Sequence, residues 1–339
     1  MFQIRYVLLA FFFLLTSFMT YLLTLISINP ILIFIFFTLN WSTMIYLYLM
    51  KKEIKFSIIF TILISFLSIC VFFLIIIESI AWFLIFYEAL LIPSTILVFL
   101  SSYTNRRWVV TLYFIFWTQF GSFLLLVAIF TIIKQDIHMF DELKNLDPTP
   151  LIPLLLFIGF GIKLPTWPFQ NWITKTHVEV PTSFSIFLSG VLVKIALIGL
   201  LRFHDAVFPS HTWFLFTILL LGVIDTFFKI PTSSDFKKLI ALTTVLEMNL
   251  FATLVIFNTM FSLKLIKLFF FTHSIFAAFL FFWTDMIFSR YLTRITFQLF
   301  GSILNTPLLG FLGILFLFSF IGCPLTIPFL IEYNVFLSF

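Results

Sequence analysis

Residues 151–203 read LIPLLLFIGFGIKLPTWPFQNWITKTHVEVPTSFSIFLSGVLVKIALIGLLRF, and they carry the strongest indication of the fold. It contains two apolar runs, and Lys163 and Lys194 lie near the middle of one run each. Pro165 and Pro168 interrupt the first run directly after its lysine. Because proline removes backbone hydrogen bonds, a membrane tolerates such a break only where the freed groups line a cavity or are buried in protein. The stretch therefore predicts a bundle of membrane helices with a polar interior.

The composition of the whole chain indicates the same class of protein. Of its 339 residues, 62% are hydrophobic and only 10% are charged, and 54 are phenylalanines. A soluble domain has about 25% charged residues, so a soluble globular enzyme is excluded. The net charge is +5, but no basic run is longer than two residues, which argues against nucleic-acid binding. We therefore expect an all-α, polytopic transmembrane helix bundle.

Charges and helix-breaking residues divide the chain into eleven candidate spans, and a span needs about 20 apolar residues. The positive-inside rule tests this layout. Twelve of the 19 basic residues fall on the side of the N-terminus and five on the other, while Lys163 and Lys194 lie within spans. The twelve are Arg5, Lys51, Lys52, Lys55, Arg106, Arg107, Lys175, Lys229, Lys237, Lys238, Arg290 and Arg294, and the five are Lys134, Lys144, Arg202, Lys264 and Lys267. The N-terminus is therefore expected on the negative, cytoplasm-like side. The spans cover residues 5–28, 31–50, 56–77, 79–102, 109–133, 151–179, 182–203, 211–230, 236–258, 263–288 and 306–335.

Six ionisable residues lie inside these spans, and each is a candidate functional residue because a charge at mid-bilayer costs several kcal/mol. Burial and a neighbouring opposite charge shift the proton affinity of such groups, so the set suits proton transfer. A second proline-broken segment, CPLTIPFLIE, ends at the last of them and favours a pair of transporter repeats. Snorkelling or a static ion pair is the alternative for the lysines, and hydrogen-bonded packing for the histidine and Glu247. The six residues are Glu88, Lys163, Lys194, Glu247, His273 and Glu332.

No cofactor or metal site is expected in this chain. Cys70 and Cys323 lie in apolar stretches far apart in the sequence, so by themselves they form neither a zinc site nor an iron–sulfur site. Haem is disfavoured because no two histidines lie centrally in spans. The sequence also contains no flavin or nicotinamide motif.

Several motifs resemble those of one known family. The segment WITKTHVEVP covers residues 172–181 between Lys163 and Lys194, FYEALLIPS surrounds Glu88, and FFFTHSIFAAFLFFWTDMIFSR contains His273. From about residue 79 to the end, these motifs make the chain similar to the chain 4 family of respiratory complex I, the proton-pumping NADH:ubiquinone oxidoreductase. Members of that family are antiporter-like subunits of the membrane arm.

The resemblance implies two inverted five-helix repeats, each with one discontinuous helix. Residues 1–78 would form N-terminal transmembrane helices, residues 79–203 the first repeat, and residues 204–339 a second repeat that is apparently truncated at its C-terminus. The sequence departs from the family at two positions. Gln170 and Glu247 stand where the family usually has histidines, so the resemblance covers the relay incompletely.

The resemblance also gives five of the candidate residues a role in a proton relay. It matches Glu88 to an ion-paired glutamate, Lys163 to the central pumping lysine, and Lys194 to the lysine that links two half-channels. His273 matches a relay histidine and Glu332 a terminal glutamate.

The resemblance also implies partner subunits for the chain. Redox energy would come from partner subunits of complex I that hold NADH, FMN, iron–sulfur clusters and ubiquinone, and neighbouring antiporter-like chains and membrane lipids would surround the chain. The composition, rich in phenylalanine and isoleucine, fits an AT-rich organelle gene. The mitochondrial inner membrane is therefore expected, with the N-terminus in the matrix, and a thylakoid or bacterial plasma membrane is the alternative. Two other functions stay open: a subunit of a multi-chain sodium/proton antiporter, and a structural membrane subunit that does not pump.

Overall fold

The structure, a computed structural model, describes most of the chain after its first two expected spans. The spans expected at 5–28 and 31–50 lie outside the described residues, and so does the candidate Glu332. The described residues are 54–101, 106–146, 151–204, 212–256, 260–299, 301, 306–324, 326, 328–330 and 333.

These residues form helices and connecting turns, and within them β-type pairing is limited to two isolated bridges. Short 3-10 helices lie at Phe140–Asn145 and Thr296–Leu299, and a π-helical turn at Leu188–Leu192 joins two α-helices. The α-helices are α1 (Ile54–Ile76), α2 (Ile80–Ala89), α3 (Leu91–Ser101), α4 (Arg107–Ile133), α5 (Leu151–Lys163), α6 (Asn171–Glu179), α7 (Thr182–Phe187), α8 (Val193–Arg202), α9 (Thr212–Thr232), α10 (Phe236–Ile256), α11 (Met260–Tyr291) and α12 (Pro307–Phe320).

Six helices in the described part of the chain are long and apolar enough to cross a membrane. Two of them are composite: α2 and α3 continue through a turn at Leu90, and α7 and α8 continue through the π-helical turn. Three shorter apolar helices lie at Ile62–Ile76, Leu151–Lys163 and Pro307–Phe320. These helices confirm the all-α membrane class, whereas the total of eleven spans stays a prediction.

The helices are apolar on their outer faces as well as inside, as expected for segments in contact with lipid. On α4, Phe116 and Phe123 are exposed while Phe114 and Leu125 on the opposite face are buried. The composite helix α7–α8 is the most enclosed of the six spans. It therefore forms the centre of the bundle, around which the candidate residues are placed.

The first discontinuous helix, α5, packs closely on α4 through two glycines. A Cβ atom added at Gly121 would lie 2.9 Å from the Gly159 carbonyl oxygen, which is closer than real Cβ atoms approach. Small residues allow such approach of membrane helices. This contact fixes α5, and with it Lys163 at its last residue, against the neighbouring span.

The second broken helix, α12, ends through a glycine in the left-handed conformation. Gly322 has φ +74°, the Cys323 N–H donates to the Phe318 carbonyl and the Gly322 N–H donates to the Ser319 carbonyl. This pair of bonds is the Schellman motif, in which only glycine avoids a Cβ penalty. The prolines expected to break the helix are therefore preceded by a stop signal in the backbone.

One local motif occurs twice, once in each half of the described chain. Ser79 bridges Met139 just before α2 and the first 3-10 helix, and Asp235 bridges Ile295 just before α10 and the second. The hydrogen bonds correspond as well: the residue opening α2 donates to a carbonyl next to Met139, and the residue opening α10 donates to a carbonyl next to Ile295, each at 3.0 Å. The offset in residue number from Ser79 to Asp235 also separates Met139 from Ile295, and the start of α5 from the start of α12.

Candidate proton-transfer residues in the helix interior

Lys163 lies at the end of α5 and contacts the end of α2. Its Nζ lies 3.5 Å from the centre of the Tyr87 ring and donates a 3.3 Å hydrogen bond to the Tyr87 carbonyl. The last carbonyls of a helix lack partners within that helix, so a cation is favoured at this end. The lysine that the sequence predicts at the broken helix thus also lies at the end of a second helix, α2.

Glu88 is the carboxylate whose charge acts on Lys163. Within the described contacts, no hydrogen bond or ion pair joins the two side chains, because Lys163 is turned toward Tyr87. The Oε1 atom of Glu88 is buried without a hydrogen-bond partner. The pair implied by the resemblance therefore acts through charge across a gap, and the glutamate has an oxygen that can accept a proton.

The break after Lys163 satisfies its own backbone groups. Trp172 Nε1 donates a 2.8 Å hydrogen bond to the Ile162 carbonyl, and Thr166 donates from both its backbone N–H and its hydroxyl to the Gly161 carbonyl. Unsatisfied backbone groups cost several kcal/mol in a membrane. The side chains of Trp172 and Thr166 thereby stabilise the broken conformation.

Two contacts connect this break to the second half of the chain. The backbone N–H of Trp167 donates to Asn249 Oδ1 on α10 over 3.2 Å. The Gln170 Nε2 atom donates to Asp225 Oδ2 on α9 over 2.7 Å. Sequence analysis missed Asn249 and Asp225 as partners because nothing in the sequence links positions 82 and 55 residues apart.

A small cavity lies between Lys163 and the helix that contains Lys194. It has a volume of about 20 Å³ and is lined by Lys163, Ser94, Thr118 and Val193, among others. A cavity of about 10–15 Å³ on this measure holds one water molecule. The lysine of the first discontinuous helix thus has room for a water between it and the residue that precedes Lys194.

The π-helical turn places polar groups around Lys194. In this turn the Val193 N–H bonds to a carbonyl five residues before it, and such turns often occur at functional sites. Lys194 Nζ donates to the Ser189 carbonyl, and Ser274 Oγ donates to the Gly190 carbonyl over 3.1 Å. Two carbonyls of the turn therefore accept hydrogen bonds from side chains.

Lys194 also contacts His273, a second candidate residue. Lys194 Nζ lies 2.8 Å from His273 Nδ1, and only 1% of Lys194 is exposed. His273 Nε2 is buried without a hydrogen-bond partner, and its ring lies 5.4 Å from that of Phe320, the last residue of α12. An ammonium donates and a neutral imidazole nitrogen accepts, so this pair can hold one proton between two sites.

Glu247 completes this group from a third helix. It is buried on α10, and its charge acts on Lys194. The structure therefore brings three predicted residues, Lys194, Glu247 and His273, to one place, which we call the Lys194 cluster. Lys163 and Glu88 form a second group on the other side of the small cavity.

His177 is a buried histidine that sequence analysis quoted in a motif but did not select as a site residue. Its ring stacks on Phe281 with centroids 4.7 Å apart, and both ring nitrogens are buried without hydrogen-bond partners. The charges of Lys237 and Lys194 both act on it. Its position in the segment WITKTHVEVP is the feature of the sequence that could have indicated a site residue. Its charged neighbours come from other helices and cannot be identified from the sequence.

Lys237 was counted among the basic residues of one membrane face, but the structure buries it completely. Its Nζ donates to the Val180 carbonyl at the end of α6, and Arg294 donates to the Val178 carbonyl over 3.2 Å. Cations near a helix C-terminus bond its last carbonyls and interact favourably with its dipole. Lys237 therefore caps a helix.

No group of three histidine, cysteine or acidic residues in the described ranges could hold a metal ion. Cys70 and Cys323 are both free thiols.

Curated relatives of the chain are named NADH-ubiquinone oxidoreductase chain 4. The protein of Paramecium tetraurelia is 42% identical over 176 residues, which is 50% of this chain and 37% of that protein. The protein of Chondrus crispus is 29% identical over 331 residues, which is 94% of this chain and 63% of that protein. The chain therefore spans between about a third and two thirds of the length of these relatives.

Solved structures share the fold. A chain of respiratory complex I from Thermus thermophilus with bound NADH matches with a TM-score of 0.76 and 19% identity, over 91% of this chain and 67% of that one. A chain of the Mrp complex from Dietzia matches with a TM-score of 0.62 and 19% identity, over 68% of this chain and 26% of that one.

The family comparison covers the same region as the motifs. The family model described as "NADH:quinone oxidoreductase/Mrp antiporter, TM" matches residues 78–339, which include every candidate site residue. Because this match covers more than half of the chain, the chain belongs to the NADH:quinone oxidoreductase/Mrp antiporter family of membrane proteins.

Proposed function

We propose that this chain is a proton-translocating membrane subunit of respiratory complex I. The contact between Lys194 and His273 is the observation that supports proton transfer most directly, since two protonatable nitrogens lie 2.8 Å apart inside the bundle. The curated relatives named NADH-ubiquinone oxidoreductase chain 4 support the assignment to complex I.

The proposed path runs through side chains of several helices. A change of charge at Glu88 alters the hold of Lys163 on its proton, because that charge acts on the lysine. The proton passes through the small cavity toward Lys194 and then to His273. Glu332 follows the second broken helix and accepts the proton last.

His177 and Glu247 act on this path from the side. The charge of Glu247 acts on Lys194 from a third helix. The charges of Lys194 and Lys237 both act on His177, whose neutral ring has one nitrogen that can accept a proton and one that can donate, both without partners. Glu247 therefore keeps a titratable group at the position where the family usually has a histidine.

The fold proposed for this function has two inverted repeats. The motif that occurs in both halves of the described chain supports the repeats, and five predicted spans separate its copies, so the second copy faces the opposite side of the membrane. Residues 1–78 precede the first copy. The chain itself takes no redox step, and NADH, FMN, iron–sulfur clusters and ubiquinone belong to partner subunits.

The proposed location is the mitochondrial inner membrane, with the N-terminus in the matrix and neighbouring antiporter-like subunits beside the chain. The relatives named NADH-ubiquinone oxidoreductase chain 4 support this location. A sodium/proton antiporter subunit is the second candidate, because the fold also matches a chain of the Mrp complex.

A native gel separates these functions. Membranes are gently solubilised, the gel is stained for NADH dehydrogenase activity, and an antibody against this chain is applied to the same lane. We expect the chain within a very large NADH-oxidising band. Its presence only in a smaller band without NADH staining would contradict the complex I assignment, and sodium-dependent proton flux would then support the antiporter.

A further inference from the structure

A second, larger cavity opens away from the proposed proton path. It has a volume of about 760 Å³ and lies where α4 begins, α6 runs, α9 ends and α10 begins. Its lining includes the basic residues Arg106, Lys175, Lys229 and Lys238. Sequence analysis placed all four on the same membrane face by the positive-inside rule, and the structure brings them to one opening on that face.

The charge of this cavity is positive. Glu179 is the acidic residue in the lining, and Asp225 lies just behind it, where it pairs with Lys229 over 2.5 Å. Lys175 Nζ rests 3.8 Å from the centre of the Tyr113 ring, so an aromatic face holds its ammonium in place. Four cations against two carboxylates leave the opening suited to an anion.

One buried polar side chain borders the same cavity. Gln170 lines it and is only 2% exposed. Its Nε2 donates to Asp225, whereas its Oε1 is buried without a hydrogen-bond partner. An amide oxygen in this position needs a donor, and a hydroxyl group beside a phosphate supplies one.

The flanks of the opening are apolar and exposed. Val109 lines the cavity on α4 and is 62% exposed, next to Trp108, and on α9 Phe228 is 67% exposed beside Lys229. The same cavity therefore offers cations at its mouth and two apolar helix faces that continue into the membrane. This combination fits a molecule with an anionic head and hydrocarbon tails.

We propose that this cavity binds an anionic glycerophospholipid. The phosphate contacts Lys175, Lys238 and Arg106, a glycerol hydroxyl of the head group donates to Gln170 Oε1, and the acyl chains lie along α4 and α9. Basic pockets between membrane helices on the matrix or cytoplasmic side bind such head groups. The site uses none of the residues of the proton path, so it is independent of the proposed function.

Photolabelling of the purified native complex tests this site. The probe is phosphatidylglycerol with a photoreactive group on an acyl chain, and the control probe is phosphatidylcholine with the same group. Labelled peptides are identified by mass spectrometry. We expect phosphatidylglycerol to label residues 108–112 of α4 and 227–228 of α9, and unlabelled phosphatidylglycerol to compete.

The variant Lys175→Gln/Lys238→Gln should lower this labelling by at least about tenfold, since each basic residue near the surface contributes roughly 1 kcal/mol to anionic lipid binding. The matched control Lys134→Gln/Lys144→Gln removes the same charge from the opposite predicted face and should label as the wild type. Lys175→Arg/Lys238→Arg should restore labelling, and an unchanged thermal unfolding temperature excludes misfolding.

Equal labelling by phosphatidylcholine, or full labelling of the Lys175→Gln/Lys238→Gln variant, would overturn the proposal. Displacement of the probe by inorganic phosphate alone would identify a free phosphate site and overturn the lipid. Crosslinks from the cavity rim to a neighbouring subunit in place of lipid would overturn it as well.

Discussion

Lys194 contacts a carbonyl of its own π-helical turn and an imidazole nitrogen of α11 at the same time. A buried ammonium in a membrane needs such partners, because a charge there costs several kcal/mol. The contact with the carbonyl would be sufficient if Lys194 had only a packing role. The contact with His273 adds a second proton site, and the unpartnered His273 Nε2 atom is a third.

Removal of either nitrogen should interrupt proton transfer. We expect Lys194→Met and His273→Phe each to lower coupled proton transfer by at least about tenfold, because a positioned proton-transfer group contributes roughly 10²–10⁴-fold. The double variant should lose no more proton transfer than the more impaired of the two single variants, since the two groups act in series. Proton uptake by proteoliposomes with the assembled complex, driven by NADH, measures this.

The control for this pair is Ser274→Ala, which removes a hydrogen bond to the same π-helical turn without removing a proton site. It should keep its proton transfer. A loss of proton transfer in Ser274→Ala as large as in the other variants would show that the turn is structural only. Additive losses in the double variant would contradict transfer in series.

Glu142 offers a pH-dependent contact outside the spans. Its Oε2 accepts hydrogen bonds from the backbone N–H groups of His138 at 2.7 Å and Met139 at 3.0 Å. These bonds hold the pKa of Glu142 below the ordinary value of 4.5. Because the pKa is lowered in the folded chain, the stabilisation is complete above the unfolded value and disappears as the pH falls through the folded one.

Hydrogen–deuterium exchange of the 3-10 helix connection checks this contact. We expect the two amides to be protected at neutral pH, to lose protection in acid, and to be unprotected in Glu142→Ala at both. Asp141→Ala removes a neighbouring exposed carboxylate and should exchange as the wild type. Protection in Glu142→Ala at neutral pH would contradict the contact.

At the scale of elements, the first broken helix is held by residues of the second half of the chain. Asn249 accepts from the Trp167 N–H, and its own Nδ2 donates to the Val245 carbonyl at 2.8 Å. A buried N–H without a partner costs about 1–3 kcal/mol. Asn249 therefore stabilises the break that ends α5 at Lys163.

Asn249→Ala should lower the free energy of unfolding by about 1–3 kcal/mol. Thermal unfolding of the purified complex in detergent, followed for this chain, measures the change. Asn171→Ala is the matched control, because Asn171 is exposed at the start of α6. A loss in the control as large as that in Asn249→Ala would exclude a specific role for the Trp167 contact.

The sequence predicts where helices break, but not what holds the broken ends. Pro165, Pro168 and Pro324 are visible as breakers, and the structure ends α5 and α12 just before them. The sequence analysis does not predict the π-helical turn at Leu188–Leu192, whose one local signal is the pair Ser189–Gly190. The caps by Lys237 and Asn249 are also hidden, because each partner lies on a distant helix.

At the scale of the whole molecule, composition and charge spacing predict the membrane class, and the positive-inside count predicts a shared face for the cations of the larger cavity. The approach of Lys194 to His273 cannot be predicted this way, because it depends on how α8 and α11 pack across 79 residues of sequence. The constant offset between the two motif copies is likewise visible only in backbone bonds.

Inverted repeats make a topological prediction. Lys134 and Arg290 are both exposed, each near the end of the helix that precedes a 3-10 helix, and the same offset separates them as separates the two motif copies. With Cys70 and Cys323 replaced by serine, Lys134→Cys and Arg290→Cys should react with an impermeant maleimide from opposite faces of the membrane. Labelling of both from the same face would contradict the inversion.

The most direct test of proton translocation by this chain is the number of protons moved per NADH oxidised by the assembled complex with Lys163→Ala. The matched control is Lys134→Ala, which removes an exposed lysine that rests 5.1 Å from the centre of the Phe130 ring. We predict that Lys163→Ala lowers the ratio while Lys134→Ala leaves it unchanged. A normal ratio in an assembled Lys163→Ala complex would contradict proton transfer through this chain.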